Sequence, residues 1–126
     1  MENCLSSNGG VNVVYTINEP AADGAHQALQ AAGKSNVVLV TIDGSCNYIN
    51  GLVANGTFAA DAAQYPGKMA VEGVQTIASV ARGGAKPTMP AGQNFLDSGT
   101  VLVTADPVPD LPSQTPAQAA ATCWGS

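Results

Sequence analysis

Twice in the first half of the chain, a short apolar run rich in β-branched residues stops at a polar side chain and passes straight into a helix-start signal. Val11 to Ile17 closes on Asn18 before Glu19-Pro20, and Asn36 to Ile42 closes on Asp43 before Gly44-Ser45. Strands that are apolar along their whole length belong to sheets buried on both faces, and repeated strand-helix units make such sheets parallel. Pro20 suits the first helical turn, where its missing N–H would be unpaired anyway, and Glu19 suits the positive end of the helix dipole. Ala21, Ala25, Ala28, Leu29 and Ala32 then recur at helical spacing, and Gly33 supplies the stop.

The rest of the chain repeats this grammar less cleanly. After Asp43 a shorter helical stretch runs to about Ala54, Asn55-Gly56 marks a turn, and Thr57 to Ala63 reads as a weaker strand ended by Gln64-Tyr65-Pro66. From Gly67 to Arg82, Met69, Ala70, Gly73, Val74, Ile77, Ala78 and Ala81 keep helical period, and Gly83-Gly84 ends the helix. Lys86 to Gln93 is a connection. Asn94 to Leu96 and Thr100 to Thr104 read as extended segments around Asp97-Ser98-Gly99, and Thr115-Pro116 starts a short helix to Ala120. The pattern predicts an α/β fold: a Rossmann-like parallel sheet, joined by right-handed crossovers and covered by helices on both faces.

Composition narrows the function. The chain has 126 residues, 45% of them apolar and 10% charged, which suits one domain with a true core and disfavours disorder. Nine acidic residues against four basic ones, with no basic cluster, argue against nucleic acid as a partner. No apolar run reaches the length of a membrane span, so membrane insertion is not expected. Met1-Glu2-Asn3-Cys4-Leu5 has neither the basic nor the apolar region of an export signal. Cys4, Cys46 and Cys123 lack metal or redox spacing and are too few for a disulfide scaffold; one pair plus one leftover is arithmetically open.

In open parallel sheets, ligands bind outside the carboxyl ends of the strands. Asn18, Asp43 and Gln64 stand at that end of three successive predicted strands, so the fold would bring them to one rim. Two amides and a carboxylate offer donors and acceptors suited to a polyhydroxy ligand and unlike an anion site. The competing reading is that they are ordinary caps and turn residues, which Asn and Asp favour everywhere. His26, the only histidine, falls mid-helix on what reads as a solvated face. Ser45 and Ser98 lie in no nucleophile elbow, and the glycines at 83, 84 and 92 form no phosphate loop, so neither a hydrolase nor a nucleotide binder is indicated. Asn55-Gly56-Thr57 matches a glycosylation acceptor and reads as a turn. No catalytic residue, metal site or cofactor is implied.

The stretches VVYTINEPAADGAHQAL, VVLVTIDGSCNYI, ADAAQYPGKMAVEGVQTI, QNFLDSGTVLVTADPV and CWG together resemble the C-terminal part of sugar ABC-transporter substrate-binding proteins. They are most similar to the ribose- and fructose-binding branch, which has the type I periplasmic binding fold. The resemblance implies a monosaccharide ligand, an ABC permease as partner, a periplasmic location and no enzymatic activity. It implies that Asn18 and Asp43 bind sugar hydroxyls from the C-terminal lobe and that Gln64 does so at a hinge crossing. Residues 1–64 and 94–126 would form that lobe, while the helix over 66–83 would belong to a missing N-terminal lobe. Met1 would then be an internal methionine, with the export signal upstream of it. The apolar stripe Met69, Gly73, Ile77 and Val80 would lack its sheet partner. Similarity around GSC and CWG also implies a Cys46–Cys123 disulfide. Two alternatives share the architecture: the effector domain of a lactose-repressor-type regulator, and a small Rossmann-like enzyme.

Overall fold

The two apolar runs lie side by side in one sheet. A computed structural model describes residues 1–125; Ser126, the last residue of the expected 94–126 segment, lies outside the described residues. The chain starts with a short helix α1 (Glu2–Ser7) and continues through β1 (Val13–Tyr15), α2 (Glu19–Ala31), β2 (Val38–Asp43) and α3 (Cys46–Tyr48). A π-helical turn over Ile49–Val53 extends α3, followed by β3 (Ala60–Gln64), α4 (Pro66–Ala81), β4 (Thr100–Val103) and α5 (Pro116–Ala119).

The strands lie in the order β1-β2-β3-β4. β1, β2 and β3 are mutually parallel, with Val14 opposite Leu39 and Thr41 opposite Asp61; β4 runs antiparallel to β3, with Val103 opposite Asp61. Both parallel crossovers step one strand in the same direction, and right-handed crossovers taken in one direction put their connecting elements on one face. Accordingly α2 packs on β2, the π-helical turn on β3, and α5 on that turn. The core lies between these elements and the inner face of the sheet, with Leu39, Ile49, Val53, Phe58 and Val103 all buried.

The expected wholly parallel sheet with helices on both faces therefore changes in two respects. The sheet is mixed, because the chain doubles back after α4 and lays β4 along the free edge of β3. The outer face of β1 and β2 is open: Val13, Tyr15 and Val38 are exposed, since no crossover of this chain runs in the direction that would place a helix there. Asn94 to Leu96 forms bends instead of an extended segment, and Phe95 and Leu96 are exposed. α4 buries none of its residues, and Met69, Val71, Val74 and Ile77 are exposed.

Candidate ligand-binding edge

Because β1, β2 and β3 are parallel neighbours, the residues that follow them emerge along a single edge. Asp43 and Gln64 are the last residues of β2 and β3, and Asn18 follows β1 as the N-cap of α2. The Gln64 side-chain amide donates to Asp43 Oδ1 (3.2 Å), and the Glu19 backbone N–H donates to Asp43 Oδ2 (3.3 Å). Asp43 and Gln64 are thus in contact, and Asn18 joins them through its chain neighbour. All three are half-buried, and none lines the hollow of about 790 Å³ between α1, β1 and α2. A hollow of about 540 Å³ lined by Tyr65, Gly99 and Trp124 adjoins the edge.

Asn18 fulfils the capping role as well. Its Oδ1 accepts from the Ala21 N–H at 2.8 Å, so its carbonyl is engaged while the side-chain NH₂ remains available as a double donor. An ionised carboxylate offers about four lone-pair sites. Asp43 uses two of them in bonds of more than 3 Å, which leaves acceptor capacity facing the edge. Gln64 keeps its carbonyl oxygen and one N–H. The edge accordingly presents donors and acceptors together, the set a neutral, hydroxyl-rich molecule requires.

Asp43 holds this position with a backbone φ of +147°, and Gly44 follows at +84°. Side chains rarely adopt such conformations, and a non-glycine residue in one marks a backbone held by its surroundings. Gly44 is obligatory for a second reason: a Cβ there would collide with the side chain and Cα of Ala63.

Beneath the edge lies an arrangement that spacing did not disclose. The Glu19 carboxylate is buried and accepts from the Ser45 N–H (2.8 Å) and the Ser45 hydroxyl (2.6 Å). Asp61 is fully buried on the inner face, and neither carboxyl oxygen has a hydrogen-bond donor within reach. Burial first, then the nearby Glu19 side chain, pushes the Asp61 carboxyl up to about 7. The backbone at Asp43 pulls the other way, while the Asp43 charge adds to the rise. A buried carboxyl without a hydrogen-bond partner and close to other carboxylates is favoured in its neutral form. The sequence signal was an acid in an otherwise alanine-lined strand, Ala60-Asp61-Ala62-Ala63.

The C-terminal segment closes over the same turn. Cys46 and Cys123 form a disulfide, with Cα atoms 4.9 Å apart, and the Trp124 indole N–H donates to the Asp43 carbonyl at 2.9 Å. Cys4 is free and exposed. His26 sits edge-on to Phe58, ring centroids 6.5 Å apart, a packing arrangement. Among the described residues no group of histidine, cysteine or carboxylate side chains is placed to hold a metal ion, and no helix is long and apolar enough to cross a membrane.

A family model described as a periplasmic binding protein domain matches residues 1–85. The ribose import binding protein RbsB of Escherichia coli (strain K12) is 39% identical over 83 residues, 66% of this chain and 28% of that protein. Among solved structures, an ABC transporter solute binding protein from Mycobacterium smegmatis with bound glycerol superposes with a TM-score of 0.73. It is 26% identical, and the match covers 99% of this chain and 38% of that one. A solute binding protein of the same kind from Agrobacterium vitis, with bound D-fucose, gives a TM-score of 0.65 at 29% identity, over 82% of this chain and 33% of that one. The chain thus spans 28% to 38% of the length of these relatives.

Proposed function

The chain belongs to the periplasmic binding protein domain family, and from that premise we propose that it supplies one wall of a monosaccharide-binding cleft in the substrate-binding component of a sugar ABC import system. The observation that carries this reading is the contact between Asp43 and Gln64 at the edge where Asn18 also emerges. Asp43 accepts from sugar hydroxyls, the Asn18 NH₂ donates to them, and Gln64 does both. Relatives named for ribose import and for bound D-fucose support the sugar class; a ribose- or fructose-like monosaccharide is the ligand we favour. That these relatives are binding proteins supports passive binding over catalysis, and periplasmic binding protein membership supports a periplasmic location.

In this reading residues 1–64 and 94–126 form one lobe, with Gln64 at a crossing to the other. The α4 helix, which buries nothing here, packs in the second lobe. Closing two lobes around the sugar adds contacts from the facing wall and selects the closed state that a permease recognises. One wall alone binds weakly, because each strong partner removed from a site costs more than about 1 kcal/mol.

Weak binding is measurable by NMR titration of the isotope-labelled chain with D-ribose, D-fructose and D-fucose at millimolar concentrations. Movement of the Asn18, Asp43 and Gln64 signals, with those of α4 unmoved, is the expected result. A titration in which none of these sugars moves the three residues overturns the reading.

A further inference from the structure

Asp43 needs a restraint that its own strand does not provide. It is the last residue of β2, its φ is +147°, and the next residue, Gly44, sits at +84° in close contact with Ala63. Conformations of this kind persist only when surrounding structure over-determines them. A relaxed backbone here would swing the carboxylate away from Gln64.

The restraint comes from 81 residues downstream. The Trp124 indole N–H donates to the Asp43 carbonyl at 2.9 Å. The Trp124 backbone N–H donates to the Gly44 carbonyl at 3.4 Å, and its carbonyl accepts from the Cys46 N–H at 2.8 Å. One residue thus engages both carbonyls of the strained turn and the Cys46 N–H just beyond it. The neighbouring Cys123 is covalently joined to Cys46, so the clamp is tied to the turn it holds. Trp124 itself is 40% exposed. A tryptophan that served packing alone would bury its ring; here the side chain's specific contact is made by the N–H.

We infer that Trp124 is a positioning residue for Asp43: its indole N–H, held in place by the Cys46–Cys123 disulfide, fixes the turn that aims the Asp43 carboxylate at Gln64 and the ligand. The role in binding rests on the function proposed above; the positioning itself does not.

Trp124 is the chain's only tryptophan, so one indole N–H resonance reports the clamp. In the oxidised chain that proton should exchange with solvent at least about tenfold more slowly than after reduction with a phosphine, under conditions where far-ultraviolet circular dichroism is unchanged. In Trp124→Phe the ring remains and the donor is lost, so the Gln64 side-chain amide signal should move and D-ribose affinity should fall about tenfold. Asp43→Ala should abolish D-ribose binding while the indole proton stays protected.

The outcomes separate the two ideas. If D-ribose fails to bind even the unaltered chain, yet the indole is protected and Trp124→Phe moves Gln64, the sugar assignment fails and the positioning role stands. An unprotected indole in the oxidised chain overturns the positioning role, as does a Trp124→Phe chain with unmoved Gln64 signals. Should Trp124→Phe not fold, the exchange measurement with and without reductant decides.

Discussion

The residue that does most to set the electrostatics under the edge is Asp61, whose carboxyl is fully buried and meets Glu19. In the unfolded chain it ionises near 3.8, and in the fold it holds its proton up to about 7. Below about pH 4 both states are protonated, and the group contributes no pH dependence. Between about pH 4 and 7 the unfolded chain releases the proton while the folded chain keeps it, so stability falls as pH rises. Above about 7 the loss is complete, on the order of 4 kcal/mol from this one group. Asp61→Asn, which stays neutral at every pH, should abolish that slope. Thermal unfolding from pH 4 to 8 should show the variant gaining on the unaltered chain until about pH 7 and then keeping a constant lead. Parallel curves would mean that Asp61 carries no proton in the fold. Asn18, Asp43 and Gln64 are legible from the chain because each follows a predicted strand, and strand ends are where a parallel sheet exposes polar groups. Asp61 and Trp124 are not, since the first is defined by what closes over it and the second by a bond across 81 residues.

At the scale of elements, α2 shows two roles resting on one residue. Its N-cap oxygen is Asn18 Oδ1, which accepts from Ala21, and Pro20 lies in the first turn. Asn18→Ala should cost about 1 kcal/mol, which is a drop of about 3–5 °C in melting temperature for a chain of this size. Asn18→Ser keeps a capping oxygen and should melt close to the unaltered chain, yet it removes the amide donors at the proposed ligand edge. Calorimetry combined with the sugar titration separates the two roles: equal binding by Asn18→Ser and the unaltered chain would leave Asn18 a cap only. The other helices were predicted with uneven success for physical reasons. α4 kept its period and its start and stop signals, and α5 forms the capping box that Thr115 and Gln118 close. The stretch after Asp43 was expected as one short helix and instead becomes α3 plus a π-helical turn, a local change in hydrogen bonding that apolar spacing does not encode.

Across the whole molecule, burial is one-sided. The inner face of the sheet packs against α2, the π-helical turn and, through it, α5, while Val13, Tyr15 and Val38 on the outer face and Val74 and Ile77 on α4 remain exposed. Apolar surfaces of this kind seek a partner. The isolated chain should bind an environment-sensitive hydrophobic dye and self-associate with rising concentration. Val74→Lys with Ile77→Lys should reduce both; a dye-silent chain that stays monomeric by size exclusion at every concentration would contradict this. The chain by itself determined the α/β class, the parallel pairing of the first three strands and the edge on which Asn18, Asp43 and Gln64 emerge. Those features follow from local periodicity and the handedness of crossovers, which neighbouring residues encode. Only the tertiary structure decided that β4 turns antiparallel, that one face stays open, that Asp61 is buried without a hydrogen-bond partner and that the Trp124 indole reaches the Asp43 carbonyl. Each of these depends on which distant segments come into contact, and residue spacing along the chain carries no measure of that distance.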